Sequence, residues 1–259
     1  MAQAGIEFAK VSYSVPAERK GDPDRLLLRD ISLKLEAGTT TALLGRSGSG
    51  KTTLLRLVNR LVIPNSGDVL VDGNSASHIE INKLRRSIGY VIQETGLFPH
   101  MTVEKNAGLA LELAGRSKSE IVFRAEEVLS LAGIDFAEFR NRYPWQLSGG
   151  QRQRVGLARA LATDPSVLLM DEPFGALDPI TRAEMQTMVR DLLGRVKKTV
   201  LLVTHDLDEA LYLASRVVFL ERGEIVADLA SAAVPTSKNP HVVDYVSAVH
   251  RSSAMPVSR

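Results

Sequence analysis

The sequence contains no cysteine, which excludes a disulfide framework, a thiolate zinc site and a cysteine nucleophile. It also has little excess charge of either sign. Acids and bases nearly cancel to a formal +2, too little for a strongly cationic nucleic-acid binder. Long hydrophobic runs are missing as well: stretches such as Val200 to Val203 and Val217 to Leu220 fall far short of a membrane-spanning segment. The opening MAQAGIEFAKVSYSV has no basic stretch followed by a long apolar one, so no secretory signal is expected there. No internal repeat, low-complexity tract or sustained heptad pattern occurs. These absences lead to the expectation of a cytoplasmic chain that enters no bilayer by itself.

What is present is a chain of 259 residues, 44% hydrophobic and 24% charged, a balance that excludes disorder and collagen. At roughly 150 residues per domain it forms one large domain or two small ones, with enough length to bury a core without covalent staples. Strand patterns are predicted at residues 6–13, Leu26 to Leu35, Thr39 to Leu44, Gly67 to Gly73 and Ile88 to Ile92. A charged, turn-rich loop is expected at Pro16 to Asp24, and a helix over Lys51 to Leu61. Between about Gln93 and Gln153 the apolar residues recur at helical spacing, with stripes at Val122, Ala125, Val128 and Leu129 and at Leu109 to Leu113. Strands return at Val167 to Met170, Thr199 to Thr204 and Val217 to Leu220, alternating with helices at Ile180 to Gly194 and Leu207 to Ala214. Continuous apolar strands alternating with helices predict a parallel sheet covered on both faces. The fold class is therefore α/β, with a helical insertion.

Three motifs carry chemistry. Gly45 to Thr52 reads GRSGSGKT, a glycine-rich loop between a strand and a helix. Gly45, Arg46, Ser47 and Gly48 form its first half, and Ser49 and Gly50 complete the turn, so that backbone N–H groups converge on phosphate oxygens. Lys51 can reach the β and γ phosphates, Thr52 can offer a hydroxyl to Mg²⁺, and Thr53 continues the helix whose positive end faces the same anion. A Gly/Ser-rich turn without a ligand is the plain alternative. The apolar strand VLLMDE ends in Asp171 and Glu172, which a buried strand delivers to the rim where the loop lies. There Asp171 can hold the metal and Glu172 can polarise water. A solvated Asp-Glu turn before Pro173 is the alternative. Leu147 to Gln151 reads LSGGQ, with Ser148 placed to cap a helix and Gly149, Gly150 and Gln151 at its positive end. That makes either a second anion site or a well-capped helix start.

GRSGSGKT, LSGGQ and LLMDEP in this order resemble the ATP-binding subunits of ABC transporters, whose signature is LSGGQ, and the resemblance runs from about residue 6 to residue 230. It implies a P-loop NTPase (RecA-like) core with an antiparallel β subdomain and an inserted α-helical subdomain at about 94–154. The ATPase domain would occupy 1–230, followed by a short tail at 231–259 with no separate regulatory domain. It implies ATP and Mg²⁺ as ligands, with Tyr13 stacking on adenine, Gln93 sensing the metal and the γ-phosphate side, and His205 contacting the γ-phosphate. Ala176, Leu177 and Asp178 match a loop that crosses the interface of a head-to-tail dimer, in which each ATP lies between one subunit's GRSGSGKT and its partner's LSGGQ. Catalysis would fall to Glu172, His205, Gln93 and Lys51, and metal binding to Thr52, Gln93 and Asp171. Arg46 departs from the Pro of many relatives, and Lys105 from a Glu before Asn106.

The resemblance also implies separate membrane permease subunits, indirectly a solute-binding protein, no nucleic acid, and a peripheral position on the cytoplasmic face of the membrane. Leu97, Phe98, Pro99 and Met101 would form the apolar floor for a permease helix. RRSIGYVIQETGLFPHMTV, LMDEPFGALDPITR and TVLLVTHDLDEAL look like uptake ATPases for glycine betaine, choline and related osmoprotectants. Amino-acid and sulfonate uptake groups share parts of these strings. A lipid-trafficking or export ATPase and a soluble ABC ATPase are the remaining alternatives. The tail, with Val242, Val246 and Val249, predicts a short amphipathic helix.

Overall fold

The structure is a computed structural model that describes residues 4–16, 24–93 and 95–253. Most of the loop expected at Pro16 to Asp24, Glu94 and the last residues of the tail lie outside the described residues. The chain opens with two long paired strands, β1 (Ala4–Val15) and β2 (Arg25–Glu36), turns at Ala37 and Gly38, and enters the short apolar strand β3 (Thr40–Leu44). The glycine-rich loop leads into α1 (Lys51–Val58), followed by β4 (Ser66–Val71), the two-residue β5 (Asn74–Ser75), α2 (Ile81–Arg86) and β6 (Ile88–Val91). From β6 to the next strand the described chain is helical: α3 (Val103–Leu113), α4 (Lys118–Leu131), α5 (Phe136–Phe139) and α6 (Gly149–Leu161). Strand–helix alternation then resumes with β7 (Val167–Asp171), α7 (Pro179–Val196), β8 (Thr199–Thr204), α8 (Leu207–Leu213), β9 (Arg216–Glu221), β10 (Glu224–Ala230) and α9 (Pro240–Ser253).

Among the described residues the strands form two sheets. One is antiparallel, in the order β2-β1-β4-β5; the other runs β10-β9-β3-β8-β7-β6 and is parallel except for β10, which lies antiparallel on β9. Every residue of β7 and β8 is buried, as the uninterrupted apolar runs require of strands covered on both faces. Their side chains alternate between two cores. Leu168, Met170, Val200 and Leu202 join one with α4, α6 and α7. Val167, Leu169, Leu201 and Val203 face the other, where Leu54, Leu55 and Val58 of α1 meet Ile6, Phe8 and Val69 of the antiparallel sheet. Each such Leu or Val contributes about 1.5–3 kcal/mol on full burial.

Two expectations need correction. Helix α1 stops at Val58 rather than Leu61, because Asn59 caps it and Arg60 turns to φ 52°. The stripe expected at Leu109 to Leu113 is only partly a core face: Leu111 packs against the core, but Leu113 is 77% exposed, and α3 buries Val103, Asn106, Ala107 and Gly108. The cause is the close crossing of α4, where a Cβ on Gly108 would lie 2.5 Å from Ile121 Cγ2. The other predicted stripe packs as expected, with Ala125, Val128 and Leu129 buried and Val122 packed against them. Elements β5, α2, α5 and β10 are too short or too irregular in pattern for the sequence to mark them.

Candidate active site

The parallel ladders bring four loops to one edge of the sheet. Leu44 pairs with Thr204, Asp171 with Val203 and Val91 with Met170, so the residues that leave these strand ends emerge side by side. Gly45, Glu172 and His205 are those residues, and Gln93 follows the end of β6 by two positions. Open α/β sheets bind ligands outside the carboxyl ends of their strands for this reason.

The loop after β3 needs its glycines. A Cβ on Gly45 would stand 2.2 Å from the backbone carbonyl of Leu220, and Gly50 caps α1 at φ 105°, a conformation that side-chain-bearing residues avoid. Lys51 is buried and curls back over the loop, its Nζ donating to the carbonyls of Gly45 (2.7 Å) and Arg46 (3.1 Å). Burial lowers its pKa, and the nearby Glu172 and Asp171 carboxylates oppose that shift. Arg46 is exposed, as its place at the loop's outer side predicts, and Thr53 is half-buried on α1.

Thr52 Oγ1 donates to Asp171 Oδ1 at 2.9 Å. Asp171 is buried, which raises its pKa, while the Thr52 hydrogen bond and the charge of Arg56 pull it down. Tyr90 reaches the other carboxylate oxygen at 3.4 Å. Neither Tyr90 nor Arg56 stood out in the sequence, although Arg56 follows Thr52 by four residues, the spacing that places both on one face of α1.

Glu172 adopts φ 45° and is fixed there by its N–H bond to the Val203 carbonyl (2.9 Å). A left-handed conformation costs a non-glycine residue about 1–2 kcal/mol, and here it turns the carboxylate away from the strand. Glu172 Oε2 accepts from Gln93 Nε2 at 3.3 Å and lies 3.4 Å from His205 Nδ1. His205 itself sits between two anchored neighbours. Thr204 Oγ1 donates to the buried Glu209 (2.7 Å) and accepts from the Asp206 N–H (3.0 Å), and Asp206 caps α8. Gln186 supplies Glu209 with a second donor at 3.2 Å, and burial raises the Glu209 pKa. That network is a second feature missed from sequence; its only signal was a glutamate four residues beyond His205.

A cavity of about 530 Å³ opens at this edge, lined by Arg46, Ser47, Lys51, Glu172 and His205 from the core, and by Tyr245, Ala248 and Val249 from α9. The signature segment is not part of its lining within one chain. Ser148 caps α6 through a reciprocal capping box with Gln151, as expected of a cap, leaving Gly149 and Gly150 at the helix start. Gly150 lies against α7, where a Cβ would come within 2.6 Å of Thr181 Cγ2. Further along α6, buried Gln153 donates to the Pro173 carbonyl, one residue past Glu172. Arg159 donates to the carbonyls of Thr95 (2.9 Å) and Gly96 (2.7 Å), in the segment after Gln93. Asp178 caps α7 through the Ile180 and Thr181 N–H groups, and its bonds to Thr181 hold its pKa down. Tyr13 packs partly into the core between the sheets, opposite Leu28, away from the cavity lining.

A protein-family profile described as ABC transporter matches residues 28–175, more than half of the chain. The chain belongs to the ABC transporter family. Among curated relatives of this ABC protein, the osmoprotectant import ATP-binding protein OsmV of Salmonella typhimurium is 46% identical over 209 residues. That match covers 81% of this chain and 54% of the relative. The glycine betaine uptake system ATP-binding protein YehX of Escherichia coli is 46% identical over 224 residues, 85% of this chain and 69% of the relative. The chain spans about half the length of several of the curated relatives it matches. The solved dimeric structure of the ATP-binding cassette MJ0796, in a post-hydrolysis state bound to ADP and Pi, superposes with a TM-score of 0.76 at 32% identity. It covers 87% of this chain and 98% of that one. The fold of this ABC protein is that of a P-loop NTPase cassette.

Proposed function

We propose that this ABC protein binds and hydrolyses ATP as the energy-supplying subunit of an importer for a small solute. The observation that carries the reading is the meeting of Gln93, Glu172 and His205 at the rim that also holds Lys51 and the Thr52–Asp171 pair. Lys51 exchanges the carbonyls of Gly45 and Arg46 for the β and γ phosphates, which the amides of the loop and the start of α1 cradle. Thr52 and Asp171 are the residues that would hold Mg²⁺. A hydroxyl and a carboxylate already in contact suit a cation that takes few protein ligands and completes its shell with phosphate oxygens and water. Once bound, the ion spreads the charge that builds on the transferring phosphoryl group. Among the described residues no cluster of three or more His, Asp or Glu side chains would hold such an ion without the nucleotide.

Glu172 polarises a water whose oxygen attacks the γ-phosphorus while the bond to the β,γ-bridging oxygen breaks, giving ADP and phosphate. Gln93 and His205 hold that carboxylate from two sides, with the His205 ring on the γ-phosphate side. Tyr13 would stack on the base. Ser148, Gly149, Gly150 and Gln151 would meet the nucleotide of a partner subunit, and Asp178 would lie at that interface. A head-to-tail pair of ATPase subunits accounts for a signature segment that lies off the cavity lining of its own chain. Among the described residues no helix is long and apolar enough to cross a membrane. The reading assigns the membrane passage to separate permease subunits, with this chain peripheral on the cytoplasmic face. The names of its relatives support a quaternary-amine osmoprotectant such as glycine betaine or choline as the solute.

The test is to tag the chain, solubilise native membranes gently, and identify what co-purifies. A small permease with a solute-binding partner is expected. Reconstituted in proteoliposomes, the assembly should take up labelled glycine betaine or choline only with ATP. Co-purification of an exporter, or no membrane protein at all, would overturn the importer reading. Uptake of an amino acid or sulfonate with betaine excluded would overturn the solute.

A further inference from the structure

Helix α9 lies beyond the residues that carry the family resemblance, yet it forms one wall of the cavity. Its Val242 is fully buried against Ala42 and Leu44 of β3, Val217 and Phe219 of β9 and Leu207 and Ala210 of α8, with Val246 and Val249 packed beside it. These are the strand that feeds the glycine-rich loop and the helix that follows His205. From this seat Tyr245 donates its hydroxyl to the backbone carbonyl of His205 at 2.7 Å, and its ring meets Phe219 edge-on, with centroids 5.6 Å apart. Burial pushes the Tyr245 pKa up to about 12, so the hydroxyl keeps its proton and remains a donor.

The residues flanking His205 are tied down from the α8 side, Thr204 through Glu209 and Asp206 through its cap. The peptide between His205 and Asp206 is held on its N–H side, where Asp206 donates to Thr204 Oγ1 at 3.0 Å, while neither anchor touches its carbonyl. Tyr245 holds the other side of that peptide, at the His205 carbonyl. We propose that Tyr245 is a positioning residue for ATP hydrolysis: its hydroxyl sets the His205 peptide and thereby keeps the imidazole against Glu172. The proposal rests on the ATPase reading above and extends it to a helix that the motifs do not include.

Tyr245→Phe keeps the ring and its contact with Phe219 and removes only the hydroxyl. Two readouts are taken on the full chain. In ATP turnover, kcat should fall about three- to tenfold, the worth of one hydrogen bond, with KM and the affinity for a fluorescent ATP analogue unchanged within about twofold. In NMR spectra of the histidine-labelled protein, the five histidines give ring signals of which His205 is identified by its loss in His205→Ala. That signal should move in Tyr245→Phe while those of the other described histidines stay. A change in only one readout, or in neither, overturns the proposal, since a role in general stability would lower turnover without singling out His205. A wild-type chain that binds ATP and never turns it over, alone or with its membrane partners, refutes the ATPase reading and this proposal with it.

Discussion

Replacing Thr52 with Val removes a hydroxyl and leaves the shape of the side chain nearly intact, so its effect isolates the bond to Asp171. That carboxylate is buried, and without Thr52 it keeps only the 3.4 Å contact from Tyr90 and the more distant charge of Arg56. A hydrogen bond to a charged group is worth about 1.5–3 kcal/mol, which for a chain of this size lowers Tm by about 3–12 °C. The loss depends on pH. Burial already raises the Asp171 pKa, and the Thr52 bond restrains that rise. A raised carboxylate contributes its stability below the unfolded pKa, about 3.9, and loses it as pH climbs through the folded value. Thr52→Val lifts the folded pKa further, so the gap between variant and parent should widen from pH 5 to pH 8. Differential scanning calorimetry at the two values, without nucleotide or metal, measures it. An equal loss at both pH values would show that losing Thr52 does not move the Asp171 pKa within that range.

Glu172→Gln should lower ATP turnover by about 10²–10⁴, the range for a general base, and preserve ATP binding and ATP-dependent self-association in gel filtration. Undiminished hydrolysis would remove Glu172 from the reaction. Gly45→Ala drives a methyl group to 2.2 Å from the Leu220 carbonyl, a backbone atom that cannot swing aside. A destabilisation of about 1–3 kcal/mol is expected in urea unfolding, and a variant as stable as the parent contradicts the close approach. Glu209→Gln replaces a buried carboxylate whose pKa burial raises. By the same sign rule, its stability relative to the parent should improve as pH rises from 5 to 8; a difference that stays flat or falls argues against a raised Glu209 pKa in the fold.

The reach of the sequence ends where three-dimensional register begins. β8 is predicted with the limits it adopts, and β7 one residue short, because an apolar run buried on both faces leaves no phase ambiguity. The phosphate loop is legible for a similar reason: Gly45 and Gly50 answer local demands that no other residue meets. Leu109 to Leu113 misled because a helix with apolar residues on two faces does not reveal which one its neighbour will cover, and the crossing at Gly108 decided it. Arg56 and Tyr90 act on Asp171 across the strand order, which the alternation of elements does not disclose. Tyr245 is the extreme case. It stands 40 residues from His205 and belongs to no motif, so only the packing of α9 on β3 and α8 shows what it touches.

Helix α6 has a mechanical consequence. It runs without a break from Gly149 to Leu161, about 20 Å at 1.5 Å per residue. Along that length it grips two separate loops, the Thr95–Gly96 segment through Arg159 and the turn after Glu172 through Gln153. A rod clamped at both points cannot be displaced at one without dragging the other. A push delivered to the surface around Gly96 and Phe98 would therefore register at Pro173, one peptide from Glu172, and at Ser148 on the rod's far tip. The polypeptide between those places need not bend, because a single stiff lever already joins them.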